Sequence, residues 1–251
     1  MKSPRGLIWL SCSLIAGLIL AATARADTFE EANRAFAAGQ YAESARGYQT
    51  VLKQNGYSAA VLFDLGNAEL RLHKVGEAIL EYERARWLAP QDPDIIANLR
   101  YARRQAGLAP VTEESWAEHL ADALSPNDWA WLASGALCIS CAGLLGSRLR
   151  RHYRGYLTLL SAVSILILTV ACLAVLLRSQ QLDRAILAAK ETPALLSPFA
   201  GARTAYEFSG GQMVDVERTH GGFDFVRDVG GHSGWVADGQ VAMVVPAQPA
   251  R

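Results

Sequence analysis

The chain has 251 residues but only four cysteines, at positions 12, 138, 141 and 172, and all four fall in hydrophobic stretches. No cysteine is left to staple the remaining parts, so no disulfide framework is expected. The formal net charge is zero. That balance gives no electrostatic reason to expect a nucleic-acid partner. Phosphate loops, dinucleotide fingerprints and H-E-x-x-H are all missing. Gly231-His232-Ser233-Gly234 approaches a nucleophile elbow, but Trp235 stands where the second glycine is required. The five histidines are scattered. His220 and His232 fall in turns and are too few for a metal site. The expectation is no enzyme, no cofactor and no metal.

What is abundant is apolar sequence, about half of all residues. Residues 129–146 and 156–177 read as two transmembrane helices, because charge-free runs of this length are costly on a soluble surface and about 20 apolar residues span a bilayer. The rival reading is a buried helical hairpin in a soluble core. Residues 147–155 form the connection and carry Arg148, Arg150, Arg151 and Arg154. Under the positive-inside rule this loop is cytoplasmic, and both outer ends then face away from the cytoplasm. Contact of the loop with anionic membrane lipids is a natural extra role. Cys138-Ile-Ser-Cys141 matches C-x-x-C and admits a thiol-redox reading; the plainer alternative is small residues packing between membrane helices.

Residues 1–26 have the form of a signal peptide, with Lys2 and Arg5, an apolar core, and Ala24-Arg25-Ala26 before Asp27. An uncleaved anchor is the alternative, and both place residue 27 onward outside the cytoplasm.

Residues 27–106 contain an internal repeat. Asn33 matches Asn67, Tyr48 matches Tyr82 and Ala32 lies opposite Gly66, each pair 34 residues apart. That is the tetratricopeptide (TPR) period. The second copy has Leu62, Leu65, Gly66, Ala78, Tyr82, Ala85 and Pro90 at positions resembling the repeat signature. Ser44 stands where alanine is usual and His73 where glycine is usual at the turn. A third copy begins at Pro93 with Ile96 and Leu99 and stops after one helix, so either that helix caps the stack or a partner completes it. Asn33, Asn67 and Asn98 are candidates to bond a peptide backbone in the groove, or else polar residues of a helix surface.

Residues 107–128 are a linker. Thr112-Glu113-Glu114 offers a helix start, and Trp116, Leu120 and Leu124 share one face. This short helix lies either on the membrane or on the repeats. Ser125 and Pro126 then open the first membrane helix. Residues 180–246 show short alternating runs separated by glycine-rich turns, with strands expected at 185–189, 204–208, 213–218, 223–228, 234–237 and 241–245. These runs and Gly234-Trp235-Val236 resemble a bacterial SH3-like β-barrel. Trp235 is either a ligand platform or a core aromatic.

The fold expected is therefore a multidomain membrane protein: an all-α TPR solenoid, a two-helix transmembrane hairpin and a small all-β SH3-like barrel. This order resembles the BatE-like proteins of the Bacteroides aerotolerance (Bat) operon family. The resemblance implies a non-enzymatic inner-membrane scaffold whose partners are membrane-anchored von Willebrand A-domain Bat-type proteins and a MoxR-type ATPase. It also implies a role in aerotolerance or envelope stress, with the terminal domains in the periplasm. A peptidoglycan-binding envelope protein and a thiol-redox protein using Cys138 and Cys141 are the alternatives.

Overall fold

The computed structural model describes residues 28–109, 116–179 and 181–245. The expected signal peptide and the Thr112 helix start lie outside the described residues. The chain divides into two compact units, Met1–Lys74 and Val75–Arg251.

The first unit holds helices α1 (28–37), α2 (Tyr41–Asn55) and α3 (Ala59–Arg71). On α2 the buried residues Ser44, Ala45, Tyr48 and Val51 recur with helical spacing. They join Ala32, Val61, Leu65 and Ala68 in one core, edged by Phe29, Phe36, Leu52 and Leu72. Each large apolar side chain sealed there contributes roughly 1.5–3 kcal/mol. A Cβ on Gly47 would come within 2.7 Å of the Ala32 Cβ, so small residues at both positions let α1 and α2 approach closely. Ser44 is fully buried, as a small residue at that position must be.

The helix ends carry the clearest mark of the 34-residue period. Gly39, His73 and Gly107 all have positive φ, at 77°, 59° and 70°. Each sits in the same hydrogen-bonded helix terminus: Gln40 N–H donates to Ala35 O, Lys74 N–H to Glu69 O and Leu108 N–H to Arg103 O. This terminus needs a left-handed residue just past the last turn, which favours glycine. His73 meets the requirement with a Cβ and therefore with strain.

The second unit begins with α4 (Val75–Leu88) and α5 (Pro93–Gln105). The side chain of Asp92 caps α5 by accepting from Asp94 N and Ile95 N, ahead of Pro93 at the first helical position. Ile95, Leu99 and Ala102 are its buried face, so Ile95 takes the place expected for Ile96. Helix α4 is buried on several sides. Gly76 lets it meet the backbone at Ala188 and Gly211, and Gly211 in turn leaves room for Ile79.

Helix α6 (Trp116–Ala121) is a short turn whose Leu120, with Leu124, packs against Trp129, Ala171 and Ala174. The linker helix therefore lies against the hairpin. Ser125 caps α7 (Pro126–Leu149) by accepting from Asp128 N, as expected. A 3-10 turn (Arg151–Tyr153) leads into α8 (Arg154–Ser179). Both helices run a few residues past the apolar runs, because helical hydrogen bonding does not stop where hydrophobicity does. Their contact is a seam of small residues, Ala136, Ser140, Gly143 and Ser147 against Ser161 and Ser164, and at the other end Ala171 and Ala174 make room for Trp129. A Cβ on Gly143 would collide with Ser161 Oγ. Three of the seam serines donate to carbonyls of their own helix, Ser140 to Leu137 O at 2.9 Å, Ser147 to Leu144 O at 2.7 Å and Ser161 to Leu157 O at 2.8 Å. They thus add no unsatisfied group to the interface. Both helices are long and apolar enough to cross a membrane. Only 22% of each apolar window is buried, a poor fit to a soluble core. Leu145, Leu149, Leu159, Leu166 and Leu176 stand outward.

Seven antiparallel strands follow: β1 (Arg184–Leu187), β2 (Glu191–Leu195), β3 (Thr204–Ser209), β4 (Met213–His220), β5 (Phe223–Asp228), β6 (Ser233–Ala237) and β7 (Val241–Met243). Their order is β3-β2-β6-β5-β4-β1-β7, an open sheet, so the expected SH3-like barrel is not closed. Strand β7 has only three residues, and Arg84 from α4 donates to the Met243 carbonyl there, at 3.1 Å from Nη2. A helix thus covers the edge that a closing strand would need. Strand β2 was not expected, because Pro193 argues against a strand interior. It is tolerated where β2 pairs with β3 along its length but with β6 only at Leu195.

The strained turn yields a stability prediction. His73→Gly should raise the unfolding free energy of the helical part by about 0.5–1 kcal/mol, relief of the left-handed penalty less the entropy of glycine. Thermal unfolding of the full chain in detergent measures it. A drop in stability would show that the histidine ring contributes more than its backbone costs.

Candidate functional site

The residues singled out from sequence fall on different elements of the two units. Asn33 is half-buried on α1 and its Oδ1 accepts from Tyr48 Oη at 2.8 Å, a bond internal to the first unit. Asn67 is half-buried on α3. Asn98, in the second unit, donates from Nδ2 to Asp94 O on its own helix. Arg148, Arg150 and Arg154 are exposed at the hairpin turn, and Arg151 lies in its 3-10 segment. Cys138 and Cys141 are free and exposed on the outside of α7, away from the seam.

Trp235 is half-buried, on the sheet face opposite its neighbours Gly234 and Val236, which are buried. Strand register aligns Arg218, Phe225, Trp235 and Leu195 across four strands. The Phe225 and Trp235 rings meet edge-on at 5.2 Å, and the Arg218 guanidinium lies 4.8 Å over Phe225. His220 approaches Trp235, whereas His232 stacks on Tyr206 at 4.2 Å and pairs with Asp228. The two histidines therefore have separate partners. Among the described residues no cluster of His, Cys, Asp and Glu could hold a metal.

A site that sequence reading missed lies at the far end of α8. Arg178 is buried, with its guanidinium 4.3 Å over the Trp87 ring. Its Nη1 donates to Ala121 O at 3.1 Å and Leu124 O at 3.0 Å, and its Nη2 donates to Trp87 O. Asp122 lies 3.6 Å from Arg178 and 3.2 Å from Arg86. Gln91 donates to the Asp122 carbonyl, and Trp129 Nε1 to that of Ala121. One planar cation thus serves α4, the α6–α7 turn and α8 at once, a task for which the guanidinium fork is suited and an ammonium is not.

One turn before Trp87, Glu83 is buried with Arg103 at 3.6 Å. Burial pushes its carboxyl above the ordinary range, against the opposing pull of Arg86, Arg103 and Arg184. Glu83, Arg86 and Arg184 border a small cleft, partly open to solvent and lined also by Gln181, Met213 and Val244. The arrangement holds elements together; its carboxylates face guanidinium groups and no nucleophile stands among its lining residues. An arginine directly after an apolar run was the available signal. Its partners lie more than fifty positions away and gave none.

No protein-family model matches the chain, and no curated protein does.

Two measurements follow from this geometry. Arg178→Met should leave the Trp87 and Leu124 carbonyls short of their donor, with Asp122 kept by Arg86 and Ala121 O by Trp129, and cost roughly 1–3 kcal/mol, the scale for leaving buried polar groups unsatisfied. It would be read as faster proteolysis after the hairpin, and unchanged resistance would mean the clasp carries no stability. Glu83 supplies the second. With its folded value raised, its contribution to stability is fully present below the ordinary glutamate value of about 4.3 and is lost as pH rises through the folded value. The melting temperature of wild type should therefore fall more steeply over that range than that of Glu83→Gln. Parallel profiles would refute it.

Proposed function

We propose that the protein is a non-enzymatic, membrane-anchored scaffold that presents a helical-repeat part and a β part on one side of the inner membrane. The observation that carries this reading is the Arg178 clasp. It binds the end of an apolar, mostly unburied helix to α4 and to the α6–α7 turn, so the anchor is joined directly to the first elements of the second unit. The thrice-repeated helix terminus at Gly39, His73 and Gly107 supports the tetratricopeptide reading and a peptide- or protein-binding role. Within that role the Bat-type von Willebrand A-domain proteins and a MoxR-type ATPase are the partners proposed by resemblance, with the presented parts in the periplasm.

One observation favours a second reading, a peptidoglycan-binding envelope protein. The Arg218–Phe225–Trp235 row leaves half-exposed aromatic faces on the sheet.

The topology is tested with single cysteines at exposed positions, Ala97→Cys, Val229→Cys and His152→Cys. A membrane-impermeant maleimide applied from outside the inner membrane should label the first two and spare the third. Labelling at 152 alone would invert the arrangement, and labelling at all three in intact cells would remove the membrane hairpin. Crosslinking in native membranes then identifies the partners, and capture by the sheet of peptidoglycan alone would favour the second reading.

A further inference from the structure

The geometry points to the turn between α7 and α8 as a binding surface for anionic phospholipid headgroups, a use beyond orienting the hairpin. The inference rests on the membrane reading above. Arg148, Arg150, Arg151 and Arg154 fall within residues 148–154, and no Asp or Glu occurs anywhere from 129 to 182. The cations therefore have no carboxylate on the hairpin to neutralise them. The side chains of Arg148, Arg150 and Arg154 are exposed.

A second observation concerns the start of α8. That helix begins at Arg154 with no acidic residue in its first turn. The positive end of its dipole lies at the same place as the arginines and offsets the negative end of α7 at Leu149, so the arginine charge is left to attract an anion. Guanidinium forks match phosphate oxygens in pairs.

What selects a lipid over a free phosphate or an acidic peptide is the surface on either side of the charges. Tyr153 and Tyr156 are 53% and 68% exposed, suiting the level of the headgroups. Leu149 is 85% exposed, and Leu145 and Leu159 continue the apolar surface along the helices. The ligand this surface fits has anionic oxygens at one end and hydrocarbon at the other.

The test uses the purified full chain reconstituted into phosphatidylcholine vesicles with a minor share of phosphatidylglycerol. Spin-labelled lipids report which headgroup is enriched beside the protein. Wild type should enrich phosphatidylglycerol by about fivefold or more, the equivalent of one surface arginine. The enrichment should fall with added salt. Replacing all four arginines by glutamine should abolish it, and replacing them by lysine should keep a reduced part. Equal enrichment in wild type and the glutamine variant would overturn the proposal. So would loss of enrichment on adding inorganic phosphate at constant ionic strength, which would make free phosphate the ligand. Competition by an acidic peptide but not by phosphate would make the surface a protein site and overturn it as well. If the chain fails to enter the bilayer, the membrane reading itself fails; if it enters without lipid preference, only this proposal does.

Discussion

A buried guanidinium is tolerable only where most of its donors are met and its charge is answered, and at Arg178, where both Nη atoms are bonded and the buried Nε is not, this constraint governs the second compact unit. Arg178 is placed by the apolar helix α8, but everything that makes it stable comes from elsewhere. It takes the carbonyls of Trp87, Ala121 and Leu124, the carboxylate of Asp122 and the face of the Trp87 ring. Removing a partner from such a group exposes the desolvation cost of the rest. The α6–α7 turn must therefore keep its carbonyls aimed inward, which Trp129 reinforces by donating to the same Ala121 oxygen. Helix α4 must keep Trp87 beneath the guanidinium, and Gly76 and Gly211 hold α4 against the sheet at its other end.

The hairpin meets a different constraint. Between two helices bathed in apolar surroundings there is little hydrophobic gain from contact, so close approach and satisfied hydroxyls must do the work. The seam of Ala136, Ser140, Gly143 and Ser147 against Ser161 and Ser164 answers this with small side chains, and at the other end Ala171 and Ala174 make room for Trp129. Large residues are left facing outward, where a soluble protein would not keep them. The same division explains why the exposed cysteines of α7 lie off the seam: a position that does not touch α8 is free of the demand for a particular size.

Local patterns were legible in the sequence wherever one segment determines its own form. The apolar runs gave both long helices, Ser125 and Pro126 marked the start of α7, and the 34-residue recurrence anticipated the turn at His73. The sheet was legible as alternating runs but not as a topology. Pro193 hid β2, and nothing local says that Arg84 covers the edge at Met243, 159 positions away. The surroundings of the candidate residues were hidden for the same reason. Asn33 and Asn98 are polar residues at groove-like positions, yet their side chains bond within their own units. Arg178 and Asp122 look ordinary in sequence, and only long-range packing makes them a pair.

The two ends of the hairpin then differ in kind, although arginine marks both. At the end nearer the sheet, Arg178 is sequestered, stacked and hydrogen-bonded to backbone, so its charge is unavailable to any ligand. At the turn, Arg148, Arg150 and Arg154 are exposed, on a stretch without a single acidic residue. A charge already answered within the protein rigidifies, whereas one left unanswered must be met by solvent, counterions or a binding partner. The first arrangement resists any change in the joint between the hairpin and α4. The second leaves the turn dependent on what the surroundings supply. The same side chain thus fixes one end of the hairpin and leaves the other to be answered by its surroundings.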